Sequence, residues 1–303
     1  MEQVSASADE VIVIDNGSTD QTVPLLHHAS LASEKITALT DKAEWWPGAH
    51  AAWSPLAAAR NFGLSHVTRD WVLVLDDDEH VSPDGFRHLR RLIEDSPCLA
   101  YFLPWITYDG DGKAIVEDYK LSFFRSWQGV QYDGLFHENA TKSVRNLQAS
   151  CLMAPVEISH NPSFKKSRGK PRAYLEGLTS AVRLIPSCAR LRWFLGLTFY
   201  HLGEVGEARQ HLSVAARLED DRWHPIERIN ACFLLGASHE LTDDAQHGRR
   251  WLERALHLCE DFQSDVEMVA YERVVDYVRN AHATIARGTR AEGLYPSHLF
   301  YCF

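Results

Sequence analysis

The run Trp71-Val-Leu-Val-Leu75 passes directly into Asp76-Asp-Asp-Glu-His80, and no other stretch constrains the fold of this chain as tightly. An apolar run without period-2 alternation predicts a strand buried on both faces of a parallel sheet. In open α/β sheets, ligands bind in the crevice outside the carboxyl ends of strands. Asp76, Asp77 and Asp78 emerge there. Alternation along an extended chain turns Asp76 and Asp78 to one side and Asp77 to the other. Together they make a hard, oxygen-only site suited to Mg²⁺ or Mn²⁺, a common way to hold a diphosphate. Taken alone, the triplet is equally compatible with a solvated acidic turn that closes a strand.

Two earlier segments add to it. Glu10-Val-Ile-Val-Ile-Asp15 predicts a second buried strand ending in a carboxylate. Asn16-Gly17 supplies a turn, and Ser18, Thr19 or Asp20 can cap the following helix. Folding alone accounts for residues 16–20, whereas Asp15 stands where an acceptor can pair with a nucleobase or ribose. Leu56 to His66 reads as an Ala-rich helix leading into the carboxylate strand. Its Arg60 is either a solvated helix residue or a guanidinium fork matched to phosphate or a base edge.

In this order and spacing, Val11-Ile-Val-Ile-Asp15-Asn-Gly-Ser-Thr-Asp20, Ala58-Ala-Arg60-Asn61 and Trp71 to Glu79 resemble the family 2 nucleotide-sugar glycosyltransferases of the GT-A fold. Leu121-Ser-Phe-Phe-Arg125 and Tyr132-Asp-Gly-Leu-Phe-His137-Glu138 extend the likeness, which covers residues 9 to about 160. The resemblance implies an α/β domain with a mostly parallel, Rossmann-like sheet. It implies nucleobase contact for Asp15, nucleotide contact for Arg60, and ribose or diphosphate contact for Asp76. Asp77 falls in the same nucleotide-sugar site. Asp78 takes the metal, His137 the metal or diphosphate, and Glu138 the duty of general base. The cofactor implied is a divalent ion, Mn²⁺ or Mg²⁺. The partners implied are a nucleotide-sugar donor and a glycan, lipid-linked saccharide or peptide acceptor, in a bacterial envelope pathway.

These residue types suit metal-assisted inverting displacement. A divalent ion and Arg60 stabilise charge on the departing diphosphate, and a single carboxylate removes the acceptor proton. A glycosidase would instead need two opposed carboxylates and no nucleotide site.

The chain also departs from the family pattern. Family members begin with a further strand and helix, the strand lying in the middle of the sheet, whereas only Met1 to Asp9 precede Val11 here. A chain truncated at its start is expected, with the strands at Val11 and Trp71 facing each other across an unpaired gap. Met1 to Ala8 reads as the tail of the lost helix. Pro55-Leu56 stands where the family has an acidic and an aromatic residue, and Asp77 where it has a small one.

At 303 residues, two domains are expected. The boundaries read from the sequence are 1–160 for the GT-A domain, 161–172 for a basic linker or flap, and 173–303 for helical repeats. A net charge of −10 argues against broad nucleic-acid binding. No apolar run approaches transmembrane length, and the amino terminus lacks a signal peptide. The six cysteines show no Cys-x-x-Cys pair, and the sixteen histidines include no His-Glu-x-x-His helix. A reducing cytoplasm fits best. The stretch Lys165-Lys-Ser-Arg-Gly-Lys-Pro-Arg172 reads as a solvated linker, a flap over the diphosphate, or a patch that meets anionic lipid at the inner membrane face.

The second half turns helical. Leu195-Gly196, Phe199, Ala208, Leu212 and Ala215 follow tetratricopeptide spacing, and Leu178 and Ala181 precede Leu212 and Ala215 by 34 positions, the period of that repeat. Leu235-Gly236, Leu252 and Ala255 form a weaker unit offset by 40, since Asp220 to Pro225 lengthen the connection. Residues 265–287 read as a capping helix. A generic bundle with accidental spacing is the plain alternative. Such repeats bind peptides or proteins, which suggests a protein partner. Two rival functions are a catalytically degenerate fragment acting as a helical-repeat interaction module, and a phosphatase of the haloacid dehalogenase type. The latter ranks behind because two motifs precede the aspartate triplet.

Overall fold

The computed structural model describes residues 2–15, 17–39, 55–148, 150–161, 170–218, 226–240 and 245–260. The chain divides into two compact units, one built mainly from residues 1–162 and one from the helices that follow. The basic stretch up to residue 169, the connection at 220–225 and the expected capping helix lie outside the described residues.

In the first unit, helix α1 (Glu2–Ser7) precedes β1 (Val11–Ile14), α2 (Thr22–Ala32), β2 (Ile36–Leu39), α3 (Pro55–Ser65), β3 (Trp71–Leu73) and β4 (Glu79–His80). Then come α4 (Pro83–Glu94), β5 (Ala100–Tyr108), β6 (Ala114–Arg125), α5 (Thr141–Asn146), β7 (Cys151–Met153) and β8 (Ile158–His160). Local chemistry explains where helices start. Asp20 Oδ1 accepts from the Thr22 amide at 2.9 Å, opening α2. Ser82 caps α4 through the Gly85 amide at 3.0 Å, with Pro83 in the first turn, where its missing N–H costs nothing. Helix α3 packs on β1 and buries Ala57, Ala58 and Ala59. A Cβ at Gly63 would stand 3.3 Å from Ile14, so a small residue there lets the helix approach the strand.

The strands form two sheets among the described residues. β1 and β2 pair in parallel from Val11↔Ile36 to Ile14↔Leu39. The larger sheet has the order β3-β6-β5-β8-β4, with β7 also on β5. β5 runs parallel to β7 and β8, whereas β3 runs antiparallel to β6. The Trp71 run therefore differs from a strand buried on both faces of a parallel sheet: residues 71–76 are half-buried. Although every residue of the run is apolar, it is the alternate ones, Trp71, Leu73 and Leu75, that pack against one core cluster. Trp71 stacks on Phe123 with ring centroids 4.9 Å apart and carries the Arg125 guanidinium 4.7 Å from its own. Val81, Leu89, Tyr101, Leu103, Phe123 and Ile158 lie in the core beneath.

The second unit contains α6 (Lys170–Leu184), α7 (Ala189–His201), α8 (Val205–Ala215), α9 (Ile226–Glu240) and α10 (Ala245–Glu260). α7 and α8 form a hairpin across a short turn. Gly203, at φ 79°, takes the left-handed position that ends α7, and its amide donates to the Tyr200 carbonyl at 3.0 Å. A Cβ at Gly196 would lie 2.7 Å from Leu212 Cγ, and one at Gly236 the same 2.7 Å from Leu252 Cγ. The glycine–leucine contact of α7 and α8 is thus repeated by α9 and α10. Leu178, Ala181, Leu212, Ala215, Leu252 and Ala255 are all buried, as interhelical positions of a repeat must be. Among the described residues, no helix is long and apolar enough to cross a membrane.

Candidate active site

Arg60, Asp76 and Glu138 meet. From α3, Arg60 Nη2 donates to Asp76 Oδ1 at 2.5 Å and Arg60 Nε donates to Glu138 Oε1 at 3.1 Å. The guanidinium lies over the Tyr132 ring, 5.3 Å from its centroid. Asn61, the next residue of α3, holds the backbone of Tyr132 through two hydrogen bonds of 2.8 and 2.9 Å. Asp133 and Asn139 exchange backbone hydrogen bonds of 3.0 and 3.2 Å, closing the loop that carries His137 and Glu138. Lys142 fastens that loop through an ion pair with Asp133.

Asp76 receives a second cation. The β3–β6 register, in which Leu73 faces Phe123, continues past the ladder as the Val74 amide donates to the Ser122 carbonyl at 2.8 Å. Carried two residues further, it sets Asp76 opposite Lys120, whose Nζ donates to Asp76 Oδ2 at 3.0 Å. The same ammonium donates to Glu79 Oε1 at 2.6 Å. Burial pushes the Asp76 carboxyl upward, but Arg60 and Lys120 overcome it and hold the group at about 2. Burial likewise opposes the Arg60 cation, and Asp76, Tyr132 and Glu138 outweigh it, raising its pKa. Burial pushes the Tyr132 hydroxyl up, so it stays protonated.

Asp78 faces a different group. Its Oδ2 lies 3.4 Å from His160 Nε2 at the end of β8, and that contact holds the Asp78 carboxyl below its ordinary range against its burial and the charge of Asp76. His160 is oriented by Thr107 Oγ1, 2.9 Å from its Nδ1, and stacks on Trp105 with centroids 4.6 Å apart. Asp77 is exposed. The alternation expected of residues 76–78 does not govern them, since the strand ends at Leu73 and the chain turns at Asp77 and Asp78.

Asp15 is buried at the end of β1, in the two-stranded sheet, and accepts from the amides of Gly17 at 2.9 Å and Ser18 at 3.1 Å. Gly17, at φ 98°, makes this turn possible. His137 is half-buried in the left-handed region at φ 50°, and its carbonyl accepts from Asn139 Nδ2 at 3.4 Å. Among the described residues, no three His, Cys, Asp or Glu side chains are grouped to hold a metal ion unaided.

Sequence reasoning assigned no role to Lys120, Glu79, His160, Asn61 or Tyr132. Lys120 was findable once β3 and β6 were paired, because opposite charges favour facing positions across strands. His160 carries no local signal; only the pairing of β8 with β4, Glu79↔His160, brings it beside the turn.

An α/β unit with a charged cluster beside its strands, followed by helical repeats, defines an α/β architecture with an appended helical packing surface. Comparison with known proteins narrows this: residues 1–146 match the model of glycosyl transferase family 2. A TPR repeat-containing protein of Synechococcus elongatus is 27% identical over 146 residues, which are 48% of this chain and 32% of that protein. The match thus spans about a third of that relative's length. A crystal structure of S. aureus TarS, residues 1–349, aligns over 95% of this chain and 86% of its own, at TM-score 0.42 and 11% identity.

Proposed function

We propose that the first unit transfers a sugar from a nucleoside-diphosphate donor to an acceptor, a glycan, lipid-linked saccharide or peptide, by a single inverting displacement. The observation that carries this reading is the Arg60 bridge between Glu138 and Asp76. In such a displacement the acceptor gives its proton to Glu138 as its oxygen or nitrogen bonds to the anomeric carbon. The bond from that carbon to the diphosphate breaks, and the electron pair leaves with the diphosphate. Negative charge therefore passes from Glu138 to the leaving group, and Arg60 lies between the two. As Glu138 becomes neutral it releases its share of the guanidinium, which is then available to the diphosphate. Asp76 contacts the ribose or diphosphate, with Asp77 at the rim, and Asp15 contacts the nucleobase.

The donor set fits a divalent cation that shares its shell with the substrate. Mg²⁺ and Mn²⁺ sites of this kind use one or two carboxylates and complete themselves with phosphate oxygens. Asp78 is 38% exposed and within reach of His160, so this pair would hold the ion, with His137 on the neighbouring loop. When bound, the ion would neutralise charge developing on the diphosphate.

A second reading, a non-catalytic interaction protein that works through its helices, is favoured by one observation. Among the described residues β1 and β3 belong to separate sheets, so the nucleotide crevice is not walled by one continuous sheet. Donor turnover by the full chain with Mn²⁺, compared with Asp78→Ala and Glu138→Gln, separates the two. Equal background rates in all three proteins would leave only the interaction protein.

A further inference from the structure

Lys120 sits at the centre of the charged cluster without a part in the chemistry above. Its side chain is 25% exposed, and its ammonium bridges Asp76 to Glu79, whose side chain is 1% exposed. Both Glu79 oxygens are engaged: Oε1 by Lys120 and by Trp105 Nε1 at 2.6 Å, Oε2 by the Asp76 backbone amide at 2.9 Å. At this depth each ion pair and hydrogen bond of the carboxylate is costly to lose. Glu79 therefore anchors both Lys120 and the backbone from which Asp76 projects. Asp76 in turn has Oδ1 on Arg60 and Oδ2 on Lys120, so two cations arriving from different elements set the plane of its carboxylate. Arg60 is shared with Glu138 and can be drawn away as charge moves during reaction. Lys120 is shared with a buried carboxylate that has no part in the displacement, which makes it the steadier of the two.

We propose that Lys120 is a positioning residue of the donor site: anchored by Glu79, it acts through Asp76 and fixes the orientation in which that carboxylate receives the nucleotide. This rests on the assignment of Asp76 to the donor. Were Lys120 only the counter-ion of Glu79, its loss would lower stability and leave nucleotide affinity alone.

The test uses the full chain and calorimetric titration with UDP, GDP, ADP, CDP and dTDP in the presence of Mn²⁺. Lys120→Met alone strands a buried charge, so the decisive protein is Lys120→Met with Glu79→Gln, which removes both charges. It should melt like the parent, yet hold the parent's preferred nucleotide about tenfold more weakly, as loss of one charge-assisted hydrogen bond implies. In donor hydrolysis its KM should rise while kcat changes little. Lys120→Arg, which keeps a bridging cation, should stay within about threefold of the parent. Parent-like affinity in the double variant would overturn the inference, and so would a Lys120→Arg protein as weak as the double variant. If Asp76→Asn binds every nucleotide as the parent does, the assignment of Asp76 fails and the inference with it. Loss in Asp76→Asn without loss in the double variant would overturn the inference alone.

Discussion

The Asn61 carboxamide pairs with both backbone groups of Tyr132, accepting from its amide at 2.8 Å and donating to its carbonyl at 2.9 Å. One side of this joint is the residue after Arg60. The other leads, six residues on, to Glu138. The joint therefore sets the spacing at which the guanidinium meets the carboxylate. In Asn61→Ala two partly buried backbone groups lose their partners, and the α/β unit should lose about 2 kcal/mol in urea unfolding. Transfer activity should fall further than unfolding explains at temperatures where the variant is folded.

Replacing Glu138 by Gln keeps the shape and one acceptor for Arg60 but cannot take a proton. Under the proposed chemistry kcat should drop by roughly 10²- to 10⁴-fold, with nucleotide affinity and melting temperature close to those of the parent. Steady-state kinetics and a thermal melt check both halves of the expectation.

The helical unit offers the same substitution with opposite signs. A Cβ at Gly196 would stand 2.7 Å from Leu212 Cγ and 3.2 Å from its backbone nitrogen, so Gly196→Ala overpacks the α7–α8 contact. A loss of about 1–3 kcal/mol is expected. At Gly206, in the first turn of α8, a Cβ meets nothing within 4 Å. Gly206→Ala should be neutral or stabilise by up to about 1 kcal/mol. Helical ellipticity followed through denaturation separates the two.

His201 and His211 make the helical unit sensitive to acid. Burial lowers the pKa of both, and Arg192, whose Nη1 lies 3.1 Å from His211 Nδ1, lowers that of His211 further. The folded state then binds fewer protons than the unfolded state once pH falls below the ordinary histidine value of 6.5. Stability from these groups is present above that value and is lost as pH falls through it toward the lower folded pKa. The urea midpoint of the helical transition should drop between about pH 7.5 and about pH 5.5, and His211→Gln should flatten the slope.

Much of the fold was legible because its signals are local. The turn in which Asp20 accepts from the Thr22 amide ahead of α2, the carboxylates that follow the Trp71 strand and the paired small and large residues of the helical repeat are all set within a few turns of chain. The candidate site was legible in its residue types and less so in its partners. Arg60 and Glu138 are 78 positions apart, Asp76 and Lys120 44 positions apart. Nothing in either segment names the other.

What the amino-acid sequence determined by itself was therefore the inventory: which runs become strands or helices, where carboxylates emerge from them, and the spacing that repeats a glycine–leucine contact in the second unit. What only the tertiary structure decided was the pairing of charges. The antiparallel register of β3 and β6 matched Lys120 to Asp76, the pairing of β8 with β4 carried His160 to Asp78, and the Asn61 joint brought Arg60 to Glu138. The physical reason is that backbone propensities act over a few residues, whereas an ion pair requires a distance of a few ångströms that only closure of the whole unit can impose.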